Sequence, residues 1–528
     1  MPCLGRDVDR QTAVGKKEMA TSAEVEHKLE AHLAKLVAYA RRQGERGRGS
    51  LRCTERDVAA KLQHAGRLLI LLSLTVAEEQ LDPKAKHAGR SYVRRPRKEK
   101  WLGTIFGGIL YFRTYCRAAS WEKDRSGRHP LDAQWGITRD RFSMNVISAS
   151  ARLATHVSFE ICSDLLKEFW GWSPAKDSIE GMVLGLGAVT EEYFEQAPPP
   201  EGDGDVLVIQ VDSKGAPTAT DGELAKRRRP WKGQSRAPSP RHRGRRRRRG
   251  WQKPRRRKPG DKRKNAKMAT LVVMYTLKRK DGLLLGPLNK RVYGSFAPKR
   301  HAFAWAAREA KKRGFDPKSD KSLIQFVSDG DPDLGSLACE YLPCAKQTID
   351  LYHVMEYVWS AGECQHKAGS GNLTAWVAQQ KSRLLRGQHR RVVREVEETL
   401  TRLRRRGQLT KGKRVRLETA AEYLRTNGYR LDYKWVREMD LELASGAVEG
   451  AVNHVMGKRL DNGGMRWIRE RAEAVLKLRC IEVNGQWENF ITFVDCHLRR
   501  KLARGSPVRI MQTAPSPLPS LHIREAAA

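Results

Sequence analysis

The stretch "VLVIQVDSKG", Val206–Gly215, decides how this chain is read. Its β-branched run has the composition of a buried strand, and the strand ends in Asp212 and a turn. A second run of the same design, "SLIQFVSDGDPDLG", ends in Asp329, with Asp331 two residues on as a rival for the same role. Open α/β sheets carry their sites at the carboxyl ends of strands, so two such strands side by side would bring both acids together. Like charges that close are costly unless a cation joins them.

Working outward, "MATLVVMYTLKR" and "NKRVYGSFAP" predict two further strands. "HAFAWAAREAKKRGF" predicts an amphipathic helix, and "QTIDLYHVMEYVW" a strand followed by a helix. That order predicts a mixed sheet with helices on both faces. After Val358 the strands stop, and residues 360–440 read as a very basic, all-helical insertion. Then comes "ELASGAVEGAVNHVMGKRLDNGGMRW", Glu442–Trp467, in which Val448, Val452, Val455 and Met456 form an apolar stripe at helical spacing. Glu449 sits one turn in. It either offsets the dipole of a helix capped by Ser445 or reaches out to hold a metal.

Residues 22–82 alternate apolar and charged side chains at helical period. The apolar run Leu68–Ala77 is about half the roughly 20 residues a membrane span needs and reads as a buried helix. "WLGTIFGGILYFRTYC" predicts two short strands around a Gly-Gly turn. Residues 143–186 predict helices, two of them joined by Gly-Trp-Ser-Pro in the manner of a helix-turn-helix, with Ser173 as N-cap and Pro174 at the first helical position. The N-terminus lacks the apolar core of a signal peptide, and nine cysteines without regular spacing argue against a disulfide framework, so a cytoplasmic protein is expected.

The formal net charge of the 528 residues is +41, which calls for a polyanionic partner. Residues 226–267 hold 22 Lys/Arg against one Asp and supply about half of that excess. The block includes Arg245, Arg246, Arg247, Arg248, Arg249, Arg255, Arg256 and Arg257 and falls between the first two strands of the sheet. It reads either as a solvated hairpin tip or as a clamp on phosphates, and so many like charges favour the clamp.

Two carboxylates at strand ends and a third from a helix are what two-metal phosphoryl transfer needs. One ion activates a water or 3′-hydroxyl, and the other stabilises the leaving oxygen. Oxygen donors suit Mg²⁺ or Mn²⁺, and two ions are expected on Asp212, Asp329 and Glu449.

The chain also resembles the ISKra-type insertion-sequence transposases within the Mutator-like group of DDE transposases. The carriers, between about residue 100 and 495, are "LGTIFGGILYFRTY", "HPLDAQWGI", "VSFEICSDLLKEFWGWS", "VDSKG", "VSDGDPDL", "DLYHVMEY", "SGAVEGAVNHVMGKRL", "GGMRW" and "AVLKLRC". The resemblance implies an RNase H-like catalytic domain with a helical insertion between the second and third acids, and it puts Asp212, Asp329 and Glu449 in the catalytic places. Asp350-Leu-Tyr-His353 matches the group's Asp/Cys-x-x-His signature. His353 would then lie near the scissile phosphate or brace Asp329, unless both residues only satisfy local backbone groups. The resemblance brings Arg459 and Trp467 to DNA, with Trp467 able to stack on a base, where core packing is the alternative. Two departures stand out. Only Cys116 remains where many relatives have paired cysteines, so a structural zinc is not expected. The first acid is followed by Ser-Lys-Gly where many relatives have glycine at once.

The expected organisation is a helical basic region (1–100), a short β-hairpin with a helix-turn-helix-like DNA-binding region (101–200), a catalytic core (201–358 and 441–500) containing the disordered basic loop 226–267, a helical insertion (359–440) and a disordered tail (501–528). The expected activity is that of a transposase: it binds the terminal inverted repeats of its element, cleaves DNA with metal, and joins the 3′ end to target. Its partner would be double-stranded DNA of element ends and target, bound by a dimer or higher oligomer in a bacterial nucleoid, without a membrane. The alternatives are an RNase H-fold nuclease that cuts without joining and a non-catalytic or decayed basic nucleic-acid-binding protein.

Overall fold

The computed structural model describes residues 20–47, 49–81, 86–87, 90–119, 127–219, 266–461, 466–504 and 508–519. They form two compact units, one of residues 1–154, 158–182 and 491–512, the other of 155–157, 183–490 and 513–528.

The first unit begins with two packed helices, Ser22–Glu45 and Leu51–Glu79. Thr21 and Glu24 close a reciprocal cap on the first of them. An antiparallel sheet follows in the order β1 (Lys86–His87), β2 (Arg90–Thr104), β3 (Gly107–Ala118) and β4 (Gly127–Arg128). Instead of short strands around a Gly-Gly turn, β2 and β3 have 15 and 12 residues, and Gly107, at φ +114°, is already the first residue of β3. β2 also starts within the stretch expected to be helical. Leu74 of the second helix packs with Leu102, Ile109, Tyr111 and Leu131.

Asp132, in the "HPLDAQWGI" motif, is 6 % exposed. It accepts a hydrogen bond from the Tyr111 hydroxyl at 2.8 Å, pairs with Arg113, and lies 3.7 Å from Lys100. Removing the acid leaves two cations in a buried place. Asp132→Ala is therefore expected to destabilise the chain by about 3–5 kcal/mol in denaturant unfolding, and a loss under 1 kcal/mol would show that the cluster is not a buried anchor.

Helices Phe159–Trp170 and Lys176–Gly187 are joined through Gly171 in the left-handed region, at φ +73°. The second starts at Lys176, not at Pro174, and Ser173 is no cap: its hydroxyl lies 2.9 Å from that of Ser163. Residues 508–512 also correct an expectation. Val508 and Ile510 are buried, Val508 accepts from Arg139 N–H, and Ile510 N–H donates to Asp140 at 2.7 Å. Apolar side chains at alternate positions and a buried acid anchor a segment whose Pro/Ser content had suggested disorder.

The second unit is mixed α/β. Its sheet runs β7 (Leu283–Ser295), β6 (Ala266–Lys280), β5 (Val206–Pro217), β8 (Leu323–Ser328), β9 (Lys346–Ile349). The pairs β5–β6 and β6–β7 are antiparallel, and β5–β8 and β8–β9 are parallel. Both faces are covered. Phe326 meets Phe303 of helix Lys299–Lys312 on one, and Gln325 meets Glu442 on the other. Between residues 359 and 440 lie helices Gly371–Leu385, His389–Arg405, Lys411–Thr426 and Tyr433–Glu438, packed on one another through Leu373, Val377, Val392, Val396 and Leu424. Among the described residues, no helix is long and apolar enough to cross a membrane.

Candidate active site

Strand register aligns three aspartates. Gln210 of β5 pairs with Val327 of β8, and two more steps put Asp212 beside Asp329. Ser328 pairs with Ile349 of β9, and one more step puts Asp350 beside Asp329, with Asp350 N–H donating to the Ser328 carbonyl at 2.9 Å. Side chains alternate along a strand, so Gln210, Asp212, Gln325 and Asp329 share one face of the sheet.

Onto that face folds the segment carrying Glu449. It runs as a six-residue α-helix, Gly446–Ala451, that continues as a π-helix over Val452–Asp461. π-helices are rare and occur frequently at functional sites. Val448, Val452, Val455 and Met456 are all buried, as their spacing predicts, and Glu449 is exposed. Ser445 does not cap the helix with its side chain. Its hydroxyl and its N–H both go to Oδ2 of Asp350.

Hydrogen bonding separates the acids into two kinds. Oδ1 of Asp350 accepts from Tyr352 N–H and His353 N–H, and Oδ2 accepts from Ser445, so this buried carboxylate is saturated by protein. These contacts, with a neighbouring imidazole, hold its pKa well below the usual range despite burial. Asp212 uses only Oδ1, for Ser213 N–H at 2.6 Å, and Asp329 only Oδ1, for Asp331 N–H at 3.0 Å. Among the described residues no donor reaches their second oxygens or the carboxylate of Glu449. Burial raises the Asp212 pKa first, and the charges of Asp329 and Glu449 raise it further against the opposing Ser213 N–H and His353. The electrostatics therefore register Asp212, Asp329, Glu449 and His353 as neighbours.

Among the described residues, the one group of three potential metal ligands whose atoms all lie within 4.8 Å of one another is Asp350, His353 and Glu449. Within it, Asp350 is already bonded by backbone and Ser445, and it faces His353. Asp350 has no oxygen to give, and it raises the His353 pKa to about 9, with Nδ1 3.8 Å from Oδ2. Asp212, Asp329 and Glu449 offer the oxygen-only donors that a hard divalent ion takes, but their ligating atoms do not all lie within 4.8 Å of one another here.

The raised His353 pKa has a measurable consequence. Its contribution to stability is complete below the unfolded value of 6.5 and disappears as pH rises through about 9. The melting temperature is expected to fall across that window in the native chain and to fall less in His353→Gln. Parallel curves for the two proteins would exclude the ion pair.

The remaining sequence candidates go elsewhere. Asp331 caps helix Pro332–Tyr341 through Asp333 N–H and pairs with Lys299 at 2.6 Å, so its carboxylate is engaged away from Asp212. Arg459 and Trp467 were expected on DNA. Arg459 is 2 % exposed, and its guanidinium lies 4.8 Å over the Trp467 ring. The indole is buried too, and the Trp467 backbone bonds to Pro217 and Ala219 past the end of β5. Stacking against each other hides both from any ligand. The arginines of 245–249 and 255–257 lie outside the described residues.

Three residues escaped sequence reading. Gln210 and Gln325 hold the Glu442–Val448 segment to the sheet. Tyr423, from the helical insertion, donates its hydroxyl to the Asp329 carbonyl at 2.9 Å and stacks on Tyr357 at 3.8 Å. Gly330, at φ +88°, lies under it: a Cβ there would meet the Tyr423 oxygen at 2.4 Å.

No family profile and no curated protein matches the chain. Among solved structures, a Drosophila P element transposase strand transfer complex is similar at 10 % identity and a TM-score of 0.23, over 71 % of this chain and 86 % of that one. A score that low fixes no residue correspondence, so the site is read from its own geometry.

Proposed function

We propose that the chain is a DNA transposase of the DDE kind, with an RNase H-like catalytic unit whose acids are Asp212, Asp329 and Glu449. The observation that carries this reading is the lateral alignment of Asp212, within β5 just past its parallel pairing with β8, and Asp329, just past the end of β8, with unfilled oxygens, under the helix of Glu449. Further support is the strand order, three antiparallel strands followed by two parallel ones, and the charge of +41.

The three carboxylates would hold Mg²⁺ or Mn²⁺, which when bound supplies an activated oxygen nucleophile and charge stabilisation at phosphorus. The chain's own residues do the rest. Strand β5 and the end of β8 fix two acids on a rigid sheet, and the third arrives on a helix. His353, held protonated by Asp350, sets a positive charge beside the acids, where a phosphate oxygen would meet it. The basic loop 226–267 would follow the DNA backbone.

The test uses the purified chain and a labelled duplex carrying the ends of the element that flank its gene. Nicking at the boundary with Mg²⁺ or Mn²⁺, absent with chelator and absent in Asp212→Asn, is the expected result. Joining of a pre-cut 3′ end to a second duplex separates a transposase from a nuclease. Tight, salt-sensitive binding without cleavage under either metal would replace this reading with that of a non-catalytic DNA-binding protein.

A further inference from the structure

We propose that Gln210, Gln325 and Asp350 act together as a latch that sets the position of Glu449, an inference that rests on the catalytic reading above. All three are at most 1 % exposed. Each faces the chain segment that enters the Glu449 helix.

Each glutamine uses both ends of its amide. Gln325 accepts from Glu442 N–H at 3.0 Å and donates to Glu442 C=O at 2.7 Å, imitating the pairing of a neighbouring strand. Gln210 donates to Ala444 C=O at 3.2 Å and accepts from Val448 N–H at 3.0 Å. Asp350 takes Ser445 N–H at 2.6 Å and the Ser445 hydroxyl. The second amide proton of Gln210 goes to the Tyr275 hydroxyl at 3.0 Å, and that of Gln325 to the Thr348 hydroxyl at 3.2 Å, so both glutamines are locked in orientation.

The sheet itself does not ask for these polar groups. Val208 and Val327 occupy the same face and are fully buried. A buried amide without partners is costly, and valine would suit a strand better. What the polar groups add is register between the sheet and residues 442–448. The segment needs it. The helix is anchored on the far side of Glu449 by buried Val452, Val455 and Met456, but its N-terminal end has no side-chain cap and carries Gly446 and Gly450 near Glu449, so that end depends on the residues before it. Misplacing a reacting group by about 1 Å can cost about a hundredfold in rate. The latch makes the third carboxylate part of the same rigid frame as the first two.

The test is Mn²⁺ binding by the full-length chain, read from the paramagnetic resonance of free Mn²⁺, beside melting temperature and nicking. Gln210→Met is expected to weaken Mn²⁺ binding about 10- to 100-fold, the usual effect of losing a group that orients a ligand. It should add nothing when Glu449 is already Gln. Gln380→Met removes an equally buried glutamine, bonded to Glu395 in the helical insertion, and is expected to leave Mn²⁺ binding unchanged. If Gln210→Met fails to fold, Ser445→Ala, which removes one hydroxyl, is read in the same way. Equal weakening with and without the Glu449 carboxylate would overturn the latch. So would unchanged binding in Gln210→Met while Glu449→Gln binds poorly. If Glu449→Gln itself binds Mn²⁺ normally, the metal role of Glu449 fails and the latch falls with it.

Discussion

Glu449→Gln should reduce metal-dependent nicking of element-end DNA about a thousandfold or more and leave folding and DNA binding unchanged. The backbone bonds that fix its helix belong to Glu442, Ala444, Ser445 and Val448, and the buried stripe belongs to Val448, Val452, Val455 and Met456. The carboxylate itself is exposed and bonded to nothing among the described residues. Replacing one oxygen by an amide therefore removes charge at almost constant shape. Charge stabilisation by a bound metal is worth several kcal/mol, and each 1.36 kcal/mol is a factor of ten in rate. The checks are nicking rate, melting temperature and fluorescence anisotropy on the same duplex. Retained nicking at a tenth of the native rate or better would remove Glu449 from the triad. Loss of the folded state would give it a structural role.

Excising the basic loop should have the second large effect, and on binding rather than chemistry. The loop leaves and re-enters a hairpin whose last paired residues are Pro217 and Ala266, so a short turn can replace it without changing the register of β5 and β6. Each phosphate neutralised contributes about 0.9 to the slope of log affinity against log salt. If roughly six of the 22 basic side chains engage at once, the slope becomes shallower by about five. Melting temperature should not change. A slope equal to that of the intact chain would mean the block is solvated and the duplex is held elsewhere.

The strands before Asp212 and Asp329 were legible because a β-branched run is a local signal. The stripe beneath Glu449 was legible for the same reason, as a helical period. The turn expected after Asp212 is absent: β5 continues to Pro217, held by its antiparallel pairing with β6. What stayed hidden depends on partners far along the chain. Gln210 and Gln325 look like blemishes in apolar strands until residues 442–448 arrive, although each shares the parity of its strand's acid, and that was a usable signal. Ser445 has the identity and place of an N-cap, yet a buried carboxylate competes for its hydroxyl and wins. Arg459 and Trp467 look like ligands for DNA because their types are, and only the structure shows them buried, with the guanidinium over the indole ring. Val508 and Ile510 were masked by the prolines and serines around them.

The latch also bears on when the protein can act during its own synthesis. Gln325 and its partner Glu442 are 117 residues apart, and Gln210 and Val448 are 238 apart. A ribosome adding about 5–20 residues per second leaves Gln325 waiting roughly 6–23 s for Glu442. Through that interval the emerging sheet carries two acids and no third. On the proposed function, a chain released between residues 267 and 449 would keep the basic segment proposed to follow DNA and lack the third acid. If the proposed function holds, such products would occupy DNA without breaking it, and competence to cut would come only after residue 449 is made.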